Sequence, residues 1–337
     1  MTMDPLPQPD ELLHLVELRR DEVATQVLPE TFKLWADQRS YEQYAADLAE
    51  FAATSYGKRH FSFQGVRDER GAVVSCCKRY AREATWAGRR LRAVGIGAVF
   101  TMPSERGRGL ASLMLGAFLD RERAEGSDLA YLFSDIHPTF YERLGFIALP
   151  SRSFTVRASS LARGRAAVAP MADADIAGVR KCYDAGAARR SLSLVRTPVL
   201  WDAVRLRERQ AEASPGNRYA QPVRLVVREG RIVRAYVKGW RQPRRDAYVL
   251  DEMGALDGHE ELLPALLSAA IGDLGKVAGW LPPEPERGSL PRGSVKRRSS
   301  TVLMVAPLSR TAQMLWQQHA NGLLHAAADA FWSTDHI

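Results

Sequence analysis

The stretch from Val99 to Phe146 constrains the fold of this 337-residue chain more than any other segment. It reads as a strand, a basic loop with two glycines, an amphipathic helix, a second strand and a short turn that ends in Gly-Phe. Gly107 and Gly109 let the loop turn and approach a ligand closely. Because the first amides of a helix lack intrahelical partners and carry partial positive charge, this order predicts a cradle for a phosphate group.

The helix that follows the loop is predicted from its apolar spacing. One face is formed by Leu110, Leu113, Met114, Ala117 and Phe118. Two better-known phosphate loops do not fit the sequence. Ser112 stands where a dinucleotide-binding loop would need its third glycine, and no Gly-Lys-Ser/Thr occurs. An isolated Arg-Gly-Arg-Gly also suits a solvated turn, so the order of the elements carries the prediction.

Arg106, Gly109 and Ala111, spaced as Arg-x-x-Gly-x-Ala after a strand, resemble the acetyl-coenzyme A loop of the GNAT superfamily of N-acetyltransferases. The Phe-Tyr-x-x-x-Gly-Phe segment that starts at Phe140 resembles the element that closes the same site in that family. The resemblance is sharpest over residues 91–147. It implies the GNAT fold, an α/β architecture with a mixed, mainly antiparallel sheet and helices on both faces.

The resemblance also implies roles for individual residues. Main-chain groups of Val99, Phe100 and Thr101 would pair with the pantetheine arm as an added strand would. The pyrophosphate would be held by the main-chain amides of the loop residues Arg106, Gly107, Arg108, Gly109, Leu110 and Ala111. Tyr141 would lie near the thioester sulfur as general acid, because a departing thiolate gains from a proton. The alternative for Tyr141 is a half-buried ring packed on Leu144.

The sequence leaves the general base open. Glu105, Asp135 and His137 lie near the predicted site, and many enzymes of this family use a water chain instead. Asp135 and His137 also suit ordinary turn or capping chemistry. The chain further resembles the tandem-domain acetyltransferases of the enhanced intracellular survival type, in which the terminal carboxylate reaches the active site as a base. Here that group would belong to Ile337.

The whole-chain composition, 46% hydrophobic and 26% charged residues, is that of an ordinary globular protein. No apolar run approaches the roughly 20 residues of a transmembrane helix, and the N-terminus lacks the pattern of a signal peptide. The 3 cysteines, two of them adjacent, suit neither a disulfide framework nor a zinc site. We therefore expect a cytoplasmic protein without a metal or a membrane partner.

The formal net charge is +8, and arginine supplies most of the positive charge. Basic clusters occur at residues 89–90, 189–190, 241–245 and 296–298. Such clusters can bind nucleic acid, but these lie in predicted turns and lack interleaved aromatic residues. A solvated surface with some attraction for anionic coenzyme A is therefore expected, without a nucleic-acid partner. The oligomeric state is not predicted.

The order of predicted elements repeats once along the chain, which indicates two domains. The predicted units are a catalytic GNAT domain at residues 1–157, a linker at 158–170, a degenerate GNAT-like domain at 171–308, and a C-terminal helix and tail at 309–337. Phe154 to Arg157 is expected to close the first sheet. Thr301 to Val305 is expected to be the final strand of the second domain.

The second half differs from the first at the loop. Its equivalent segment, Ala255 to Glu260, lacks the Arg-x-x-Gly pattern. Asp257 and Glu260 would repel a pyrophosphate, so we expect no coenzyme A there and expect these acidic residues to cap the following helix. Apolar positions between Leu315 and Phe331 predict an amphipathic helix docked on the second domain.

The stretch from Leu132 to Ile136, followed by Tyr141, resembles fungal lysine N6-acetyltransferases, which also carry a second domain of this kind. The expected function is transfer of an acetyl group from the cosubstrate acetyl-CoA to a primary amine, by direct attack in a ternary complex. Free lysine or a lysine-like small molecule is the first acceptor expected. Candidates for an acidic acceptor pocket are Asp135, Asp251, Glu252 and Asp257. A longer-chain acyl donor, a protein lysine as acceptor and a non-catalytic coenzyme A sensor remain alternatives.

Overall fold

The computed structural model describes residues 14–161, 166–284, 286–317 and 328–337. Its strands are, in chain order, β1 (Val16–Glu17), β2 (Phe61–Arg67), β3 (Val73–Trp86), β4 (Arg89–Thr101), β5 (Leu129–Ser134), β6 (Ile147–Ala148), β7 (Arg152–Arg157), β8 (Val168–Pro170), β9 (Leu192–Leu194), β10 (Gln221–Glu229), β11 (Ile232–Gln242), β12 (Ala247–Ala255), β13 (Lys276–Trp280), β14 (Ser294–Arg297) and β15 (Val302–Pro307).

The helices fall into similar places in the two halves of the chain. They are α1 (Arg20–Glu22), α2 (Leu28–Trp35), α3 (Tyr41–Ala53), α4 (Ser55–His60), α5 (Leu110–Ala124), α6 (Thr139–Glu142), α7 (Ile176–Ala188), α8 (Pro198–Ala213) and α9 (Leu263–Ile271). A π-helical turn at Val23–Val27 joins α1 to α2. Residues 310–317 are also helical, but most of the predicted C-terminal amphipathic helix, at 318–327, lies outside the described residues.

The strands form two sheets with the same topology. The first has the order β1-β2-β3-β4-β5-β15-β6, with β9 paired to β3, and the second has the order β8-β10-β11-β12-β13-β7-β14. Every pairing is antiparallel except β4 with β5 and β12 with β13. Each parallel pair is connected through a helix, α5 in the first half and α9 in the second. The predicted mixed, mainly antiparallel α/β fold is confirmed.

The sixth strand of each sheet comes from the other half of the chain, which the sequence did not predict. β7 pairs with β13 and β14 in the second sheet, so the expectation that Phe154 to Arg157 closes the first sheet is wrong. β15 pairs with β5 and β6 in the first sheet, so it is not a strand of the second. Neighbouring strands along a chain usually pair. Here β15 fills the position beside β5, and Phe154 and Val156 are buried in the second core instead.

Because β7 and β15 are exchanged, each sheet contains a strand from the other half of the chain. The predicted domain boundaries therefore stay a prediction. The predicted linker at 158–170 is partly ordered, since β8 pairs with β10. β3 extends to Trp86, because β4 and β9 flank its last residues. Among the residues that the structure describes, no helix combines the length and apolar character needed to cross a membrane.

Helices cover both faces of the first sheet and bring the two halves together. α5 packs on one face, where Met114, Leu115 and Phe118 are fully buried. On the other face, Phe51 of α3 and Tyr56 of α4 share an apolar cluster with residues of α8 from the second half. Because α8 belongs to the second half, the second half lines part of any site on this face of the first sheet.

Candidate active site

Strands β4 and β5 separate beyond a short parallel pairing, which opens the first sheet. They pair only from Ala93 to Ile96. The register of β4 against β3 then shifts, and Ala98 adopts a φ of 47°. A bulge of this kind bends the strand, so β4 turns away from β5. Val99 lines the resulting cavity, while Phe100 and Thr101 are still paired with β3 on the opposite edge.

The glycine loop lies between the end of β4 and the start of α5. Gly107 and Gly109 have φ values of 80° and 77°, a region that favours glycine. Gly109 is the N-cap residue of α5, and no side chain caps the helix. Its first amides are therefore open to an external acceptor. The loop residues from Arg106 to Gly109 are exposed, so an anion can reach them from solvent.

The two arginines of the loop have different local partners. The Nε of Arg106 donates to the carbonyl oxygen of Thr101 at 3.3 Å. Arg108 forms an exposed ion pair with Glu105. Glu105 does not line the cavity, so this candidate base belongs to the loop instead.

Tyr141 lies at the inner end of the opening. Only 8% of the residue is exposed, and it lines the cavity with residues of β4 and β5. Its ring packs against Phe140 and Phe146 at centroid distances of 4.9 and 5.9 Å. Burial, assisted by nearby Cys77 and Asp135, raises the pKa of Tyr141 to about 12. The phenol is therefore protonated at neutral pH, which is the form that a general acid needs.

The cavity itself has a volume of about 610 Å³. Its walls come from α2, α3, β3, β4 and β5 of the first half, α8 of the second half, and the last two residues of the chain. Asp135 borders the cavity, and its Oδ1 accepts from the amide of Thr301 at 3.0 Å. His137 does not border it, because its Nδ1 is turned to the Thr139 hydroxyl at 2.8 Å, at the start of α6.

The last two residues, His336 and Ile337, enter the cavity from the second half. A Cβ atom on Gly95 would lie 2.5 Å from the Cδ1 of Ile337, and one on Gly97 would lie 3.3 Å from its carbonyl carbon. The two glycines thus make room for the tail. Two glycines inside one predicted strand are the sequence signal that could have indicated a close approach.

His336 was not found by sequence reasoning. Its ring faces the cavity but stands 5.1 Å from the ring of Phe133 and 6.0 Å from that of Trp280. This enclosure, with the charge of Arg207 adding to it, lowers the pKa of His336 to about 4. The imidazole is therefore neutral at pH 7.

A buried polar network in the second half holds the tail. Arg196 pairs with Asp335 at 2.7 Å and with Glu252 at 2.6 Å, and all three side chains are almost fully buried. Thr334 donates to Glu252, and the Ser333 hydroxyl lies 3.0 Å from Asp251 Oδ1. The expected acidic acceptor pocket is therefore wrong for Asp251 and Glu252, whose carboxylates hold the tail.

In the second half, two ion pairs hold the loop at residues 255–260 in place. Arg189 pairs with Asp257 at 3.4 Å and also with Glu260. No side chain caps the helical turn that follows, so the expectation that these acidic residues act as caps is wrong. Asp257 also lies apart from the cavity of the first half, which leaves Asp135 as the single member of the expected acidic pocket that borders it.

The three cysteines are buried and unpaired. Burial raises the pKa of Cys76 and that of Cys182 to about 12, and it raises the pKa of Cys77 further. A thiolate nucleophile at neutral pH is disfavoured at each position. This agrees with direct attack by an acceptor and gives no support to an acyl-cysteine intermediate.

Comparison with known proteins agrees with this geometry. Residues 21–148 match the family described as acetyltransferase (GNAT) domain. A GCN5-related N-acetyltransferase from Kribbella flavida is similar at 22% identity and a TM-score of 0.64, over 89% of this chain and 73% of that one. One from Anabaena variabilis has 14% identity and a TM-score of 0.70, over 89% and 74%. Eis1 from Mycobacterium abscessus has 15% identity and a TM-score of 0.58, over 88% and 74%.

At these identities the solved structures show the fold alone, and they do so across both halves of the chain. No curated protein matches the sequence. The family match covers the strand opening and the glycine loop together, which are the two features that the resemblance in the sequence singled out. Residues 21–148 therefore match a GNAT acetyltransferase domain, which supports an acyltransferase, and the rest of the chain repeats the fold of that domain.

Proposed function

We propose that this protein transfers an acetyl group from acetyl-CoA to a primary amine of a small molecule. One observation carries the proposal, namely the two ends of the opening between β4 and β5. At one end lies the start of α5, where Gly109 leaves the first helical amides uncapped. At the other end lie Tyr141 and the large cavity. A long cosubstrate with an anionic end and a reactive end fits such an arrangement.

The residues of the opening divide the binding work between them. Main-chain groups of Val99, Phe100 and Thr101 pair with the pantetheine arm, since no described residue pairs with β4 on the β5 side beyond Ile96. The pyrophosphate is held by the main-chain amides of the loop residues Arg106, Gly107, Arg108, Gly109, Leu110 and Ala111. The same contacts would serve a longer acyl donor, so the chain length of the acyl group is part of the proposal.

Tyr141 acts as the general acid. The amine attacks the thioester carbonyl, the carbon–sulfur bond breaks, and the phenol gives its proton to the departing thiolate. The Tyr141 hydroxyl makes no hydrogen bond among the described residues, so its proton is available to a ligand. An amide and a free thiol are the products.

The acceptor must lose a proton to become a nucleophile. Two of the four candidate groups border the cavity, namely the Asp135 carboxylate and the main chain of Ile337. Glu105 and His137 point elsewhere. We assign proton uptake to a water chain between Asp135 and the chain end, to which the terminal carboxylate of Ile337 would contribute.

The test is release of free coenzyme A with a panel of amines, for the wild type and for Tyr141→Phe. A general acid contributes about 10²–10⁴-fold, so the variant should lose at least about 100-fold in kcat while its affinity for acetyl-CoA is unchanged. Tyr41→Phe is the matched control, because the Tyr41 hydroxyl donates to Ala24 outside the cavity at 3.1 Å.

Each result has a definite meaning. Release with one class of amine that is lost in Tyr141→Phe and kept in Tyr41→Phe supports the transferase. Acetyl-CoA binding without release for any amine favours the sensor alternative and overturns the proposal. Equal activity of both variants removes Tyr141 from the mechanism.

A further inference from the structure

We propose that the acceptor amine also carries an anionic group, a carboxylate or a phosphate, which binds between Lys78 and Arg207. The inference rests on the proposed function and adds to it the class of the acceptor. Lys78 comes from β3 in the first half, and Arg207 comes from α8 in the second half. Both line the same cavity as Tyr141.

The two cations are held from different sides of the cavity. Lys78 lies opposite Gly97 in the pairing of β3 with β4, and its Nζ is 5.7 Å from the centroid of the Phe63 ring. The guanidinium of Arg207 is 5.3 Å from the centroid of the Phe51 ring. Both side chains are half-buried. Each charged group lies near an aromatic ring, and neither has a carboxylate partner among the described residues.

Neither Lys78 nor Arg207 forms an ion pair in the part of the chain that the structure describes, and the nearby carboxylates are used elsewhere. Asp47 pairs with Arg39 at 2.9 Å. Glu50 accepts from the side chain of Gln210 at 3.0 Å. Asp135 accepts from a main-chain amide. The cavity thus has two cations more than its own acidic groups engage.

Two unpartnered like charges in one cavity are unfavourable until an anion arrives. Burial lowers the pKa of Lys78, and the charge of Arg207 lowers it further. An anionic group placed between them would accept charge-assisted hydrogen bonds from both sides. Because Arg207 lies on α8, one of the two donors to the anionic group comes from the second half.

The same charges disfavour a polycationic acceptor. A polyamine would meet Lys78, Arg207 and the Arg39 of the Arg39–Asp47 pair. Apart from the chain end, Asp135 is the acidic group at the border that has no ion-pair partner among the described residues. An amino acid has an amine to acylate and a carboxylate for the cations. The preferred acceptor is therefore an amine with an anionic group.

The test compares acceptors that differ by that group alone. Lysine is paired with cadaverine, ornithine with putrescine, and phosphoethanolamine with ethanolamine, and kcat/KM is measured for each. Hydrogen bonds to charged groups are strong enough that we expect the anionic member of at least one pair to be preferred by about tenfold or more. The first two pairs report a carboxylate and the third reports a phosphate.

Variants show whether the two cations cause the preference. Lys78→Met and Arg207→Met keep an apolar stem and remove the charge, so each should raise KM for the anionic acceptor about tenfold and leave the other member of the pair unchanged or improved. Arg209→Met, at an exposed position on the same helix, is the matched control. Thermal unfolding of each variant identifies any that fail to fold.

A preference that disappears in both variants and persists in Arg209→Met supports the anion site. Equal rates within every pair, or a preference for the diamines that the variants do not change, overturn it while leaving the transferase proposal standing. Failure of acetyl-CoA to bind would instead overturn the proposed function, so the two failures are distinguishable.

Discussion

The two halves of the molecule share one sheet topology, but they differ at the place where the parallel strands separate. Each sheet has a parallel pair that is joined through a helix, and in each the register beside that pair shifts, at Ala98 in β4 and at Asp251 in β12. In the first half the opening leads to the cavity. In the second half the chain's own tail lies against the strand at this point, because the Ser333 hydroxyl donates to Asp251.

The loops that precede α5 and α9 also differ between the two halves. Gly109 and Gly258 both have a φ of 77°, so the two loops share a backbone requirement. The first loop offers arginines and uncapped amides, whereas the second has Asp257 and Glu260 held by Arg189. A shared fold therefore does not bring a shared site. The residues at the loop and in the opening decide which half binds a ligand.

The largest effect is expected at Arg196, whose side chain joins Asp335 of the tail to Glu252 of β12. Arg196→Met leaves the buried carboxylate of Asp335 without its partner, and breaking such a pair costs about 3–5 kcal/mol of unfolding free energy. Urea denaturation measures this loss. Turnover should fall as well, because the tail that carries His336 into the cavity loses its anchor.

Arg224→Met is the control for that experiment. Arg224 pairs with Glu212 and Glu208 at a more accessible position, where an ion pair contributes less than about 1 kcal/mol. Equal losses of unfolding free energy for the two variants would contradict the large contribution assigned to the buried network.

The next largest effect is expected from substitutions of Gly109 and Gly258, the two loop glycines that share a φ of 77°. Neither Gly109 nor Gly258 has a neighbouring atom within 4 Å of an added Cβ, so Gly109→Val and Gly258→Val should each pay a similar backbone strain of about 1–2 kcal/mol. Only the first should raise KM for acetyl-CoA, by at least about tenfold, because only that loop is proposed to hold the pyrophosphate. A rise in both variants, or in neither, would contradict the assignment of the loop.

The smallest effect concerns pH. The pKa of His336 is lowered from 6.5 to about 4 in the fold, so between these values the unfolded chain binds a proton that the folded chain does not. The free energy of unfolding should therefore decrease as the pH falls from about 6.5 to 4. His336→Gln should flatten this part of the profile, measured by urea denaturation at a series of pH values. If the slope of unfolding free energy against pH is the same in His336→Gln and the wild type, the His336 imidazole is not buried as described.

Periodicity and turn chemistry predicted most of the first half. The apolar spacing of α5 and the loop at Gly109 are local features, and local patterns determine them. The positions of β7 and β15 could not be predicted, because neither the alternating pattern of β7 nor the continuous apolar run of β15 indicates which sheet the strand joins. Only packing of the whole chain decides which edge is free.

The same limit applies to the candidate site. Tyr141 and the loop follow from a short motif, whereas Lys78, Arg207 and His336 come together from three distant segments. No spacing in the sequence relates them. Gly95 and Gly97 gave a signal of close approach, but they did not indicate that the chain end is the segment that approaches.

The central claim is that the first half alone binds the cosubstrate, and titration calorimetry of the wild-type chain with acetyl-CoA tests it most directly. We predict one site per chain, with affinity reduced in Gly109→Val and unchanged in Gly258→Val. Two sites per chain, or a single site weakened by Gly258→Val alone, would contradict the account.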